Sequence, residues 1–81
     1  MKLTLICGKT CGPCKQLLEY LDDCAPACEI EHIYGEDHMD MCRELKIARV
    51  PTLVVYNDEG VEETISGKDE ILVWLNNHEI I

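Results

Sequence analysis

Six of the 81 residues are cysteines, and two of them form the C-x-x-C pair Cys11-Gly12-Pro13-Cys14. This spacing serves two chemistries, a tetrahedral metal site and a dithiol that closes reversibly into a disulfide. The position of the pair in the chain bears on the choice. Leu3 to Cys7 reads as a buried strand, and Pro13 suits the first turn of a helix, where its missing N–H is not needed. Cys14, Leu17, Leu18 and Leu21 then recur at i, i+3, i+4 and i+7, the apolar face of a helix running to about Asp23. Cys11 therefore stands where free backbone N–H groups and the positive end of the helix dipole stabilise a thiolate. Lys9 and Lys15 are expected to act in the same direction. Cys14 lies about one turn inside, within reach of the first sulfur and shielded from water. Cys11 should attack a target disulfide and Cys14 should resolve the mixed disulfide, leaving an 11–14 bridge.

The other candidate groups are weaker. Cys7, Cys11 and Cys14 together read C-x3-C-x2-C, a spacing that can hold an iron–sulfur cluster or zinc, so a metal-binding protein is the alternative from a different class. A strand cysteine such as Cys7 is equally a small buried hydrophobe. Cys24 and Cys28 flank Pro26, and a regulatory disulfide between them competes with two ordinary thiols. His38 and Cys42 are spaced i, i+4 but bring no further ligands. Neither His32 nor His78 has an identifiable partner, and Trp74 reads as a packing or helix-surface residue. Tyr34, Tyr56, Met39 and Met41 support no catalytic role. The sequence holds no Gly-rich phosphate loop or nucleophile elbow, and no histidine motif beside the cysteines that would suit a hydrolase.

The elements that must position the pair follow from pattern. Pro26 stops the first helix. Ile30 and Ile33 bracket a short strand closed by Gly35, and Asp37 is a plausible N-cap for a second helix with Met41, Cys42 and Leu45 inward. Leu53-Val54-Val55-Tyr56 is the clearest strand, Asn57-Asp58-Glu59-Gly60 a turn, and Val61 to Ile65 the returning arm of a hairpin. Gly67 breaks that strand, and Asp69 to Asn77 forms a last helix with Ile71, Leu72 and Leu75 inward. The order is strand, helix, strand, helix, strand, strand, helix. Crossover helices after the first two strands imply parallel pairing there, with an antiparallel edge from the hairpin.

Bulk properties narrow the function further. At 81 residues there is room for one domain spanning 1–81, which rules out a barrel or doubly wound nucleotide enzyme. Apolar residues make up 47% and charged residues 28%, a globular composition. Seven basic against 16 acidic residues leave −9, a surface that repels phosphate backbones and anionic lipid; neither nucleic acid nor membrane is an expected partner. The acidic residues are spread along the chain and read as a solubilising shell. The apolar start is too short for a secretory signal, so the thiols are expected in a reducing cytoplasm, on a monomer.

Cys11-Gly12-Pro13-Cys14-Lys15 resembles the active-site sequence of the thioredoxins. Ile47-Ala48-Arg49-Val50-Pro51-Thr52-Leu53 resembles the family's second signature, an isoleucine or valine before a cis proline, followed by Thr. Gly60 and Gly67 also sit where the family places glycines. The length is similar to that of the glutaredoxins and small glutaredoxin-like proteins. The resemblance implies a minimal thioredoxin fold of the α/β class, βαβαββα, with a four-stranded mixed sheet flanked by three helices. It implies a thiol–disulfide oxidoreductase with Cys11 as nucleophile and Cys14 as resolving thiol. Thr10, Gly12, Pro13, Arg49, Val50, Pro51 and Gly67 would border the substrate. No bound cofactor is implied; electrons would come from a flavin-dependent reductase or from glutathione. Clients would be disulfide-containing proteins, with ribonucleotide reductase typical of the family.

Three departures stand out. Thr10 replaces the usual Trp, and Leu3 to Ile6 lacks the buried Asp that helps deprotonate the resolving cysteine. Glutaredoxins read Cys-Pro-Tyr-Cys and place Thr before Val-Pro, where this chain has Gly12-Pro13 and Arg49. Ser66-Gly67-Lys68-Asp69 partly resembles their glutathione-binding Gly-Gly-x-Asp stretch, although Asp69 is equally a helix N-cap.

Overall fold

The computed structural model describes residues 1–81. The elements are β1 (Lys2–Cys7), α1 (Gly12–Cys24), β2 (Ile30–Tyr34), a 3-10 turn (Gly35–Asp37), α2 (Met39–Glu44), β3 (Thr52–Asn57), β4 (Gly60–Ser66) and α3 (Lys68–Asn77). The four strands make one mixed sheet in the order β2-β1-β3-β4. The expected order of strands and helices is present, with the 3-10 turn added between β2 and α2.

Strand direction departs from expectation at one place. The first crossover does produce a parallel pair, with Leu3 opposite Ile30 and Cys7 opposite Tyr34. After the second, β3 joins β1 antiparallel, with Leu5 opposite Leu53 and Ile6 opposite Thr52. The connection from β2 to β3, which holds the six-residue helix α2, does not carry the chain back along β2. The chain re-enters the sheet at the end where β2 left it, beside the end of β1 that leads to Cys11.

β1 and β3 are the central strands and are buried on both faces, as their unbroken apolar runs require. Leu3, Leu5 and Cys7 alternate onto the face that packs with Leu53 and Val55, with Cys14, Leu17 and Leu21 of α1, and with Ile71 and Leu75 of α3. Leu17 is fully buried, a contribution of about 1.5–3 kcal/mol. On the opposite face, a Cβ at Gly35 would lie 3.4 Å from Ile6 Cγ2 and 3.5 Å from Cys42 Sγ, so the turn before α2 presses directly on the sheet. The hairpin turn is held by the Glu59 N–H donating to Asn57 Oδ1 at 2.8 Å, with Gly60 at φ 127°. Ile80 folds back into the core, and its carbonyl accepts from the Ala27 N–H at 2.7 Å.

Two capping expectations fail. The N-cap of α2 is His38, not Asp37, which lies within the 3-10 turn. The N-cap of α3 is Gly67 at φ 99°, and Asp69 lies inside the first turn without a capping bond. In both places the chain enters the helix from a tight turn, which moves the cap away from the carboxylate.

Candidate active site

Cys11 is the N-cap of α1, and the Cys14 N–H points at its sulfur at 3.3 Å. This is the position of a capping oxygen, filled here by sulfur, so a thiolate at Cys11 would receive a backbone N–H and the positive helix end together. Pro13 sits in the first turn. Cys11 and Cys14 are disulfide-bonded, with Cα atoms 5.3 Å apart, inside the range a disulfide requires. The two sulfurs differ in access: Cys11 is half-buried and Cys14 is buried, 1% exposed. An attacking group and a shielded resolving group need that asymmetry.

The Val50–Pro51 bond is cis, as the resemblance implied. Cys11 Sγ lies 3.9 Å from the Val50 carbonyl oxygen. The loop carrying Val50 is pinned on both sides. The Thr52 hydroxyl donates to Arg49 O at 2.6 Å, and the Gly67 N–H donates to Pro51 O at 2.9 Å. A Cβ on Gly8 would lie 3.3 Å from both Cys11 Cβ and Val50 Cγ2, so a bare backbone lets the cysteine loop and the Val50 loop approach.

Two grooves meet at Cys11, and a third adjoins the second at Arg49 and Val50. One, of about 470 Å3, runs past Thr10, Gly12 and Lys15 toward Tyr34. A second, of about 630 Å3, passes Val50 and Arg49 along the end of α2. The third, of about 430 Å3, lies on the far side of Pro51 and brings Pro13, Arg49, Val50 and Gly67 together with Asp69. All nine residues named as catalytic or substrate-bordering therefore line one connected surface.

The electrostatics differ from the sequence reading. Lys9 does not serve Cys11: its ammonium is bound to Asp37 Oδ1 at 3.0 Å, which raises its pKa. Its backbone N–H instead donates to Glu36 Oε2 at 2.9 Å, and that bond holds the Glu36 carboxyl below the usual range. Glu36 lines the groove beside Cys11, and no sequence signal pointed to it, because its partner is 27 residues away. Cys7 is fully buried, and burial pushes its thiol up to about 11. No group of three His, Cys, Asp or Glu side chains converges as a metal site, so the Cys7, Cys11 and Cys14 reading has no geometry behind it. The other thiols lie apart: Cys42 Sγ is 4.0 Å from Gly35 O, and the neighbouring Cys24 raises the Tyr20 phenol pKa. His38 Nδ1 meets Tyr34 O at 3.1 Å. Trp74 is partly buried and stacks on His78 at 3.8 Å.

The family model described as Thioredoxin matches residues 3–77. The chain belongs to the thioredoxin family. Among solved structures it is similar to thioredoxin 1 of Thermosipho africanus, 19% identical with a TM-score of 0.74, covering 98% of this chain and 91% of that one. Thioredoxin f2 of Chlamydomonas reinhardtii is 18% identical with a TM-score of 0.77, covering 98% and 79%. The thioredoxin of Fasciola hepatica is 16% identical with a TM-score of 0.74, covering 94% and 78%. A sequence search of curated proteins gives no match. The family match and the Cys11–Cys14 pair at disulfide distance together support a thiol–disulfide oxidoreductase. No helix of this thioredoxin-family chain is long and apolar enough to cross a membrane.

Proposed function

We propose that the chain is a protein-disulfide reductase of thioredoxin type, with Cys11 as nucleophile and Cys14 as resolving thiol. The observation that carries this is the capping geometry: the half-exposed Cys11 sulfur receives the Cys14 N–H at the helix start, while Cys14 itself is buried. The Cys11 thiolate attacks one sulfur of a client disulfide, forming a Cys11–client bond and releasing the other client sulfur as thiolate. That thiolate takes the Cys14 proton, since β1 offers no carboxylate and burial pushes the Cys7 thiol up to about 11. Cys14 then attacks Cys11, the second client sulfur leaves and takes a proton from water, and the 11–14 disulfide remains. Two electrons pass from the dithiol to the client. A flavin-dependent reductase or two glutathiones would restore the dithiol. The surroundings proposed are the cytoplasm, with the chain monomeric and its clients disulfide-containing proteins such as ribonucleotide reductase.

A glutathione-dependent glutaredoxin has one observation in its favour. Asp69 caps nothing and lines a groove with Arg49 and Gly67, a place for the ends of a small anionic thiol. The test is turnover of a disulfide-bonded protein with each donor in turn. Cys11→Ser should abolish reduction with the fold intact, and Cys14→Ser should accumulate a mixed disulfide on Cys11. Full turnover in either variant would refute the assignment of roles. A potential near about −270 mV favours the thioredoxin type, and one near about −200 to −230 mV the glutaredoxin type.

A further inference from the structure

We infer that the groove between Cys11 and the end of α2 selects client segments that carry Asp or Glu beside the disulfide. This rests on the reading of Cys11 as the attacking thiol. The chain has only seven basic residues against 16 acidic ones, yet Arg43, Lys46 and Arg49 all line this one groove. Of the four cations elsewhere, only Lys15, on the groove past Thr10, is unpaired. Lys2 pairs with Glu31 and Lys9 with Asp37, and Lys68 donates to Gln16 Oε1 at 3.0 Å.

In the groove, Lys46 and Arg49 make no ion pair, and Arg43 has only a 3.8 Å contact to Asp40 between two highly exposed side chains, which leaves it available. The one carboxylate lining the groove, Glu36, already accepts the Lys9 N–H. The groove on the α3 side gives no such bias, since Asp69 and Glu70 line it together with Arg49 and Lys68. An acidic segment is thus repelled by the −9 surface at large and meets an excess of positive charge only next to the reactive sulfur. Exposed Met39 and Val50 add apolar contact along the same groove, whose volume of about 630 Å3 is large enough for several side chains of an extended peptide.

Backbone geometry supplies a clean variant. Lys46 has φ 57°, with its N–H donating to Arg43 O at 3.2 Å and the Ile47 N–H donating to Cys42 O at 2.8 Å. This is the helix-ending arrangement that glycine favours, so Lys46→Gly removes the charge without disturbing the fold.

The experiment uses pre-reduced protein and two oxidised peptides that share one disulfide, flanked by Glu in one and by Lys in the other. Single-turnover rates need no external electron donor. The Glu-flanked peptide should react about three- to tenfold faster at low salt, with the preference shrinking at high salt. Lys46→Gly and Arg43→Gln should each reduce the ratio, while Lys2→Gln, at the opposite end of β1, should not. Equal rates, a preference for the Lys-flanked peptide, or an equal effect of Lys2→Gln would overturn the inference and leave the oxidoreductase reading standing. Failure of the wild type to reduce either peptide would overturn both.

Discussion

Cys7 and Cys14 share one buried cluster, yet only Cys14 has a redox partner within reach. Burial alone moves the Cys7 thiol from its ordinary value of 9.0 to about 11. The sign of the pH effect follows. Below pH 9 the thiol is neutral in folded and unfolded chains alike, and it costs nothing. Between pH 9 and 11 the unfolded thiol ionises first, so stability falls with rising pH, by at most about 2–3 kcal/mol for two pK units. Urea unfolding at pH 8 and pH 10.5 should show this loss in the wild type and a smaller one in Cys7→Ala. Equal losses would mean that Cys7 ionises as readily in the fold as outside it. The C-x-x-C pair was legible because its spacing and the helix start are local facts. The fate of Lys9 was not. Proximity in sequence suggested that it supports Cys11, whereas the 3-10 turn brings in Asp37, 28 residues away, to neutralise it. Glu36 escaped notice for the same reason.

At the scale of elements, periodicity found every strand and helix to within about a residue or two, while their ends and directions depended on geometry outside the pattern. No glycine closes any of the three helices. Ala25, Lys46 and Glu79 occupy left-handed backbone at φ 50°, 57° and 58° instead, so the strongest stop signal was missing. Glu79 shows the arrangement clearly, its N–H donating to Asn76 O at 3.1 Å and the Ile80 N–H donating to Leu75 O at 2.9 Å. Glu79→Gly should therefore stabilise the fold by about 1 kcal/mol, read as a thermal midpoint several degrees higher. A lowered midpoint would show that the glutamate side chain contributes more than its backbone conformation costs. The antiparallel entry of β3 was hidden because a helix between two strands implies a parallel return only where the chain runs back along the first strand, and here it re-enters the sheet at the end where β2 left it.

Across the whole molecule, the parts of the site come from opposite ends of the sequence. The end of β1 delivers Cys11, the cis Val50–Pro51 loop lies against it, and Gly67 at the start of α3 holds that loop through the Pro51 carbonyl. The sequence motifs named most of these residues. How charge is distributed among the grooves they form became visible only in three dimensions. The central claim is that Cys11 and Cys14 form a reversible two-electron couple while Cys7, Cys24, Cys28 and Cys42 remain thiols. Its most direct test is equilibration in graded glutathione redox buffers, quenched by alkylation and read by intact mass with mapping of the modified sites. The account predicts that two thiols disappear together, both at Cys11 and Cys14, while the other four stay alkylatable after unfolding. Closure of a different pair first, or a Cys11–Cys14 pair that stays reduced across the whole range, would contradict it.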